Sequence, residues 1–291
     1  MKALQKTAIS AAAVALLTGL STVAFAADEP AAEAPEVSPI TANVTVTNNY
    51  IYRGITQTNG KPSIQGGFDY AHESGFYIGN WNSSITWVSD GYKTSGGVAT
   101  SAPIEMDFYG GFKKEFIGEG FASDIGVLQY YYPTSGIQAT PSYVNPNTTE
   151  IYAAQNFTFG PVTGFAKVSY AVTTLFGNAN STGSYYPDLT LNYDTGFWGI
   201  TANGHVGYQY VGGNQPTGSG TQFGSGVSNN TLFSYADWKL GLTKDFGGGL
   251  SGAIAYTGTN AKTYQGSYAW YSPQGKNNGR SFGLVSLTKA F

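Results

Sequence analysis

The chain ends in Ser281-Phe282-Gly283-Leu284-Val285-Ser286-Leu287-Thr288-Lys289-Ala290-Phe291. Counting back from Phe291 in steps of two gives one face with Lys289, Leu287, Val285 and Gly283, whereas the other parity is mostly small or hydroxylated. Successive side chains of a β-strand point to opposite faces, so the segment predicts a strand whose two faces meet different solvents. Such a strand needs partners.

Eleven further segments between Thr41 and Thr259 repeat this period of two. In the clearest, Ile104, Met106, Phe108, Phe112 and Phe116 share one face, and Glu105, Asp107, Lys113 and Glu115 share the other. An amphipathic helix repeats every 3.6 residues and does not produce this alternation. The other segments also predict faces: Tyr50 and Tyr52 are expected on the apolar face of the first strand, which runs from Ala42 to Tyr52. Tyr77, Trp81, Ile85 and Trp87 are expected on the apolar face of the third, opposite Asn80, Asn82 and Thr86.

The connections between these segments alternate between short and long along the whole chain. Five are short, from His72-Glu73-Ser74 to Gly247-Gly248-Gly249, and six are long, from Gly54 to Pro62 through Asn260 to Gly279. Outer-membrane barrels have tight periplasmic turns, long external loops and an even number of strands, whereas a soluble β-sandwich has no reason to sort its loops by length. We therefore predict an all-β fold: a single 12-stranded antiparallel transmembrane β-barrel, an up-and-down meander over residues 41–291 with short periplasmic turns and long extracellular loops.

The N-terminus predicts export. Lys2 and Lys6 precede a short apolar run from Ala8 to Leu20, and Ala24-Phe25-Ala26 has the form of a cleavage site, so residues 1–26 are predicted to be a signal peptide. Residues 27–40 are acidic and rich in Pro and Ala, which predicts a disordered leader. No helix-forming stretch is expected after it. The expected location is the outer membrane of a Gram-negative bacterium, in contact with its lipid.

Composition agrees with a membrane location and argues against two other classes. Charged residues make up only 11% of the chain, well below the ~25% of ordinary soluble domains. Without Lys2 and Lys6 the chain has 12 basic and 17 acidic residues, a net charge of −5, which argues against nucleic-acid binding. It has no cysteine, so neither a disulfide framework nor thiolate chemistry is expected.

Aromatic residues are expected to form two girdles where the barrel meets the membrane surfaces. Near the long loops the candidates are Tyr50, Tyr52, Trp87, Tyr185 and Tyr210. Near the short turns they are Phe116, Phe121, Phe159, Trp198, Phe246 and Phe291. Tyr130-Tyr131-Tyr132 has two interpretations, interface aromatics or a platform on which a sugar stacks, and the first is favoured.

Two stretches also resemble known proteins. Asn48-Asn49-Tyr50-Ile51-Tyr52-Arg53-Gly54-Ile55-Thr56-Gln57-Thr58, followed by Lys61-Pro62 and Gln65-Gly66-Gly67-Phe68-Asp69-Tyr70, resembles the TorF family of porins, also called the Gcw_chp family. The resemblance covers about Val46 to Trp81 and implies an outer-membrane barrel that forms a pore. Its motif residues here are Tyr52, Arg53, Gly54, Gln57, Lys61 and Pro62. The terminal Phe291 resembles the assembly signal of outer-membrane barrels, which implies the barrel assembly machinery as a partner.

Nearly all charges in the strands fall on the parity opposite the apolar residues. Because a charge facing lipid is costly, these residues are predicted to face the lumen. The pore-lining candidates are Arg53, Asp69, Glu105, Asp107, Lys113, Glu115, Asp124, Glu150, Lys167, Asp188, Asp194, His205, Asp237 and Lys239. Acids outnumber bases in this set, which predicts a preference for cations, unless the charges pair with one another and rigidify the wall.

No catalytic residue, cofactor or metal site is predicted. His72 lies in a predicted turn and His205 on a polar strand face, so the two are expected to stay apart, and His205 is expected to be solvated. Gly247-Gly248-Gly249-Leu250-Ser251-Gly252 matches a dinucleotide-binding pattern but lies between two strands, so it predicts a turn. The sequence therefore predicts a porin that passes ions or small hydrophilic solutes. The alternative is a non-conducting barrel that serves as an adhesin or structural envelope protein; an outer-membrane lipid enzyme is a distant third.

Overall fold

A computed structural model describes residues 38–93, 101–136, 144–217 and 223–291. The predicted signal peptide, residues 1–26, and residues 27–37 of the predicted leader lie outside the described residues. Among the residues that are described, no helix is long and apolar enough to cross a membrane.

Sixteen strands are described. In chain order they are β1 (Ile40–Thr47), β2 (Ile51–Tyr52), β3 (Ile55–Thr56), β4 (Ser63–Ala71), β5 (Phe76–Ser84), β6 (Ile104–Gly118), β7 (Phe121–Tyr131), β8 (Thr148–Phe159), β9 (Val162–Ala171), β10 (Tyr185–Asp194), β11 (Ile200–Gln209), β12 (Tyr235–Gly247), β13 (Leu250–Thr259), β14 (Thr263–Tyr264), β15 (Ser267–Tyr268) and β16 (Phe282–Ala290). Two short helices lie in loops, α1 (Trp87–Lys93) and α2 (Asn229–Phe233). The expectation that no helix follows the leader was therefore wrong. Both helices are short segments within long polar loops, so the sequence pattern did not indicate them.

Twelve of these strands form the closed barrel; β2–β3 and β14–β15 are small hairpins inside loops. Each barrel strand pairs antiparallel with its neighbours in the chain, and β16 closes the ring by pairing with β1 and β13. Val46 lies opposite Leu287, and Ile254 opposite Val285. The predicted 12-stranded up-and-down barrel is confirmed.

The barrel has a long-loop end and a short-turn end. The connections at the short-turn end are 72–75, 119–120, 160–161, 195–199 and 248–249, and those at the long-loop end are 48–62, 85–103, 132–147, 172–184, 210–234 and 260–281. β1 begins and β16 ends at the short-turn end, where the backbone amide of Phe291 donates to the carbonyl of Ala42.

The outer face is an apolar belt, and the aromatic residues next to the short turns mark its edge. Leu240 and Val285 are more than half exposed, as expected for side chains that contact lipid acyl chains. Phe116, Phe159, Trp198 and Phe291 are even more exposed. Lys289 points outward, but its ammonium group reaches the carbonyl of Gly248 and the ring of Phe291. A lysine at this edge extends along the apolar surface and keeps its charge near water.

The predicted side-chain directions in β5 were wrong. In β5 the parity is inverted: Phe76 and Ile78 are exposed, whereas Tyr77 and Trp81 are buried inside the barrel. Trp81 lies between Gly67 and Asp107 in the sheet, and the glycine leaves room for its indole. Asn80, predicted to face inward, instead lies between the outward residues Phe68 and Phe108 and donates to the carbonyl of Asp107.

The girdle at the long-loop end also differs from the prediction. Tyr185 and Tyr210 stack on one another there, with ring centroids 4.7 Å apart. Tyr50 and Tyr52 do not belong to it, because β1 ends at Thr47 rather than at Tyr52 and the chain then turns into the barrel. Trp87 packs edge-on against Tyr132 in a buried cluster and is likewise absent from the girdle.

Candidate functional site

The first long loop enters the barrel as a β-hairpin, formed by β2 and β3. Its two central residues, Arg53 and Gly54, both have left-handed backbones, with φ of 45° and 75°. Positive φ at both central positions is the geometry of a type I′ turn, whose twist matches that of two antiparallel strands. A Cβ atom on Gly54 would lie 2.4 Å from Cγ2 of Thr259 and 2.6 Å from Cβ of Asp237. Only glycine lets the tip of the hairpin approach the wall at β12 and β13 so closely.

Arg53 ties this hairpin to two wall strands. Its Nη1 and Nη2 atoms donate to the two carboxylate oxygens of Glu150 at 3.0 and 2.7 Å, and Nη1 also donates to Oε1 of Gln209 at 2.7 Å. The guanidinium lies 4.2 Å from the ring centroid of Tyr186. Burial on its own would lower the pKa of Arg53, but the Glu150 carboxylate outweighs this effect and the pKa lies well above its ordinary value. The side chain therefore acts as a permanent cationic bridge across the bore.

Tyrosines from the hairpin extend this layer across the barrel. Tyr50 and Tyr132 each donate a hydrogen bond of 2.6 Å to Glu105, one to each carboxylate oxygen. The hydroxyl of Tyr52 contacts that of Tyr130. We call the set Tyr50, Tyr52, Arg53, Tyr130, Tyr132, Glu105, Glu150 and Gln209 the constriction layer.

A cavity of about 140 Å³ lies on the short-turn side of the constriction layer. It follows β9 to β13, β16 and β1, and its lining includes Lys167, Asp188, His205, Asp237 and Lys239. Hydroxyl and amide side chains such as those of Thr243, Ser286 and Asn203 line it as well. We call it the inner cavity. It is a polar compartment inside the apolar belt.

His205 is held within a network on the wall of the inner cavity. Its Nε2 lies 2.9 Å from Asp237 Oδ1, and its Nδ1 lies 3.3 Å from Asp188 Oδ1. Tyr186 and Thr190 contact its two ring nitrogens at 3.0 and 3.1 Å. The expectation of a solvated His205 was therefore wrong, because two acids on neighbouring strands bracket the ring.

A second cavity, of about 110 Å³, lies on the long-loop side of the constriction layer. All six long loops contribute to its lining, and Tyr52 and Arg53 form part of its floor. We call it the outer cavity. Tyr52 and Arg53 line both cavities, so one layer of side chains separates them.

The half of the barrel formed by β4 to β8 is filled by tyrosines and acids. Tyr77 donates to Asp124 at 2.7 Å and Tyr109 donates to Asp69 at 2.5 Å. Tyr152 lies so close to the wall that a Cβ atom on Gly126 would sit 2.4 Å from its hydroxyl oxygen. These rings lie flat over the wall, and the acids beneath them are engaged by phenol hydroxyls.

Asp107 is an exception in this half. Its side chain is fully buried, yet within the described residues neither of its carboxylate oxygens has a hydrogen-bond partner. The indole nitrogen of Trp81, on the adjacent strand, is also unpartnered among those residues. A buried polar group without a partner costs free energy, so this site is a local weakness of the fold.

The predicted pore-lining residues divide into three groups by exposure. Asp69, Glu105, Asp107, Asp124, Glu150, Lys167 and Asp237 are buried inside the barrel. Lys113, Asp188, His205 and Lys239 are half-buried, and Glu115 and Asp194 are exposed at the short-turn end. Arg53 lies in the bore, where the hairpin and not a wall strand carries it.

The family motif builds the hairpin. Tyr52, Arg53 and Gly54 form its tip, Gln57 is buried behind it and its side-chain amide donates to the carbonyl of Ile55, and Lys61 and Pro62 are exposed. Sequence reasoning missed Tyr130, Tyr132 and Gln209 as partners of this motif. The favoured interpretation of Tyr130 and Tyr132 as interface aromatics was wrong, since both are buried in the bore, whereas Tyr131 between them is exposed. In the described part of the chain, no group of three His, Asp or Glu side chains is placed to hold a metal ion.

Comparison with known proteins identifies a family and a fold. Residues 31–291 match a family described as "Bacterial protein of unknown function (Gcw_chp)". The NanC porin is similar in structure, with a TM-score of 0.50 and 7% sequence identity over 86% of this chain and 98% of that one. The KdgM porin has a TM-score of 0.48 at 7% identity, over 87% and 98% of the two chains. Outer membrane phospholipase A from Escherichia coli has a TM-score of 0.44 at 13% identity, over 86% and 91%.

At these identities the likeness concerns the fold alone. No curated protein matches the chain in sequence. The family match covers the whole described barrel, whereas the name TorF rests only on the resemblance of the motif.

Proposed function

The chain belongs to the Gcw_chp family, and we propose that it is an outer-membrane, porin-like channel for the passive diffusion of ions or small hydrophilic solutes. The observation that supports this most strongly is the pair of cavities within a closed barrel. The inner cavity is polar, the outer cavity is reached by all six long loops, and only the constriction layer lies between them. A barrel that served only as a scaffold would have no need for a cavity on each side of one layer.

The same architecture supports a location in the outer membrane of a Gram-negative bacterium. The apolar belt with its aromatic edge fits a lipid bilayer, and the exposed Phe291 is available to the barrel assembly machinery. Export through a cleaved signal peptide, residues 1–26, stays a prediction from the sequence.

The proposal is tested by liposome swelling with purified, folded protein. Neutral solutes of increasing size, from a pentose to a trisaccharide, are expected to enter at rates that fall steeply with size, because one narrow layer limits passage. Correct folding is checked by the heat-dependent mobility of the barrel in gels. Folded protein that admits none of the solutes would contradict the proposal.

That negative result would favour the second candidate, a non-conducting barrel that works through its loops. One observation supports this candidate: the hydrogen-bonded constriction layer closes the space between the two cavities. The swelling assay separates the two directly. Catalysis has no comparable support, because His205 is engaged by two carboxylates and its remaining contacts are with Tyr186 and Thr190.

The preference for cations stays a prediction, and the placement of the charges leads us to expect a weak one. Asp69, Asp124 and Glu105 are engaged by tyrosines, and Glu150 is engaged by Arg53. The inner cavity itself is lined by the acids Asp188 and Asp237 and by the bases Arg53, Lys167 and Lys239. Reversal potentials across a bilayer in a potassium chloride gradient measure the preference; a strong selectivity for chloride would contradict it.

A further inference from the structure

The outer cavity has the composition of a binding site. Eight of its lining residues are aromatic and five carry side-chain amides, whereas only Arg53 and Asp90 are charged. Aromatic rings offer flat apolar faces, and planar amides both donate and accept hydrogen bonds. The combination matches a solute that has an apolar face and many hydroxyl groups.

Four of the rings, those of Tyr52, Trp87, Phe176 and Trp270, are only partly buried. Each packs edge-on against a neighbouring ring: Trp87 against Tyr132 at 86°, Tyr52 against Phe176 at 84° and Trp270 against Tyr235 at 82°. In an edge-on pair the face of one ring is not covered by its partner. Aromatic ring faces are the surfaces on which the C–H groups of a sugar ring pack.

Two residues of the cavity lining each have a buried polar atom without a partner among the described residues. Within the described residues, the indole nitrogen of Trp87 has no acceptor and Oδ1 of Asn278 has no donor, and both atoms are buried. A hydroxyl group can accept from the first and donate to the second, whereas a purely cationic or purely anionic group can satisfy only one of them. The cavity has a volume of about 110 Å³, and residues of the long loops surround it.

The charges in the lining favour a neutral ligand. An aromatic cage can also bind a quaternary ammonium group through its ring faces. Here the guanidinium of Arg53 forms part of the floor and opposes a cation, while Asp90 opposes an anion at the loop side. A neutral solute avoids both penalties.

We propose that the outer cavity binds neutral sugars and thereby selects the solutes that reach the constriction layer. Sugar binding in the outer cavity does not depend on conduction. The selection of solutes for passage rests on the proposed function. The sequence left open the interpretation of Tyr130-Tyr131-Tyr132 as a sugar platform, and the structure places Tyr132 in the lining of this cavity.

The test is titration of the folded full-length barrel in detergent with maltose, followed by intrinsic tryptophan fluorescence. Two of the five tryptophans, Trp87 and Trp270, line the outer cavity, so maltose is expected to cause a saturable change at millimolar concentration. Choline chloride and sodium gluconate, a cation and an anion, are expected to cause none. Asn278→Ala keeps all five tryptophans and is expected to weaken maltose binding about 5- to 10-fold, the factor that corresponds to one hydrogen bond.

Trp87→Phe is the second variant, and Trp198→Phe is its matched control. Trp87→Phe keeps a ring but removes the unpartnered indole nitrogen, so a similar weakening is expected, whereas Trp198 lies exposed at the opposite, short-turn end. The inference is overturned if maltose causes no saturable change, if choline binds in its place, or if both outer-cavity variants bind like the control. Maltose binding by a folded barrel that fails the swelling assay would refute the channel but support the sugar site. Swelling without maltose binding would refute the sugar site but support the channel.

Discussion

The contact between Arg53 and Glu150 gives the sharpest quantitative prediction. The pair is joined by two hydrogen bonds of 3.0 and 2.7 Å, and the side chains are only 6% and 1% exposed. Arg53→Ala leaves the Glu150 carboxylate buried without its partner, which typically costs about 3–5 kcal/mol of unfolding free energy. Glu150→Gln is expected to be destabilising for the converse reason, although Gln209 still accepts one hydrogen bond from the guanidinium.

The double variant decides whether the pair acts as a unit. Once both charges are gone, no buried charge is left unpaired, so the double variant is expected to be more stable than the sum of the single effects by about 2–3 kcal/mol. Urea unfolding in lipid vesicles, followed by tryptophan fluorescence, measures all three variants. Additivity within about 0.5 kcal/mol would refute the buried bridge. Single-channel conductance supplies an independent reading: Arg53→Ala is expected to raise it, because the hairpin loses its attachment to β8 and β11.

Four further predictions concern the wall, the hairpin and assembly. Gly54→Ala is expected to cost about 1–3 kcal/mol in the same unfolding assay, because its Cβ would meet Thr259 and Asp237; a neutral effect would refute the close approach. Asp107→Asn is expected to stabilise the barrel by about 1–2 kcal/mol, since it replaces a buried carboxyl group that lacks partners among the described residues; destabilisation would show that the carboxyl group is needed. Ile78→Arg is expected to lower the unfolding free energy by about 2–4 kcal/mol because Ile78 faces lipid. An unchanged unfolding free energy would indicate that Ile78 faces the bore instead. Phe291→Ala is expected to lower the amount of folded barrel in outer-membrane fractions, and unchanged amounts would rule out an assembly role.

The architecture of the barrel was predictable because it depends on two repeating signals. A side-chain period of two and the alternation of short and long connections both persist around the ring, so errors in single residues do not change the strand count. The closing strand shows this well. Val285 and Leu287 face outward as predicted, and the outward Lys289 is accommodated at the membrane edge.

The constriction layer was not predictable, for a local reason. The alternation of β1 continues through Tyr50 and Tyr52, so nothing in the apolar pattern marks the end of the strand at Thr47. The turn at Arg53 and Gly54 is the signal that was overlooked: a residue followed by glycine between two β-branched or aromatic residues is typical of a two-residue hairpin, but Arg is an unusual first residue for it.

The direction of the aromatic side chains was the other feature that the sequence did not predict. In a membrane barrel an aromatic ring can face lipid or fill the bore, so apolar character alone does not fix the parity of a strand. Trp81 points inward because Gly67 lies beside it, and Tyr77 does so because its hydroxyl reaches Asp124. Both contacts are made with neighbouring strands, so the sequence of β5 alone does not indicate them.

The central claim, that solutes pass through the inner cavity, is tested most directly by cysteine accessibility. The chain has no cysteine, so Ser286→Cys introduces a single thiol into the lining of the inner cavity. Leu287→Cys, the next residue, places it on the outer face of the same strand. A charged, membrane-impermeant thiol reagent applied during bilayer recording is expected to reduce the current through the Ser286→Cys channel and to leave the Leu287→Cys channel unchanged. Modification of Ser286→Cys, confirmed by mass, without any change in current would contradict a path through the inner cavity.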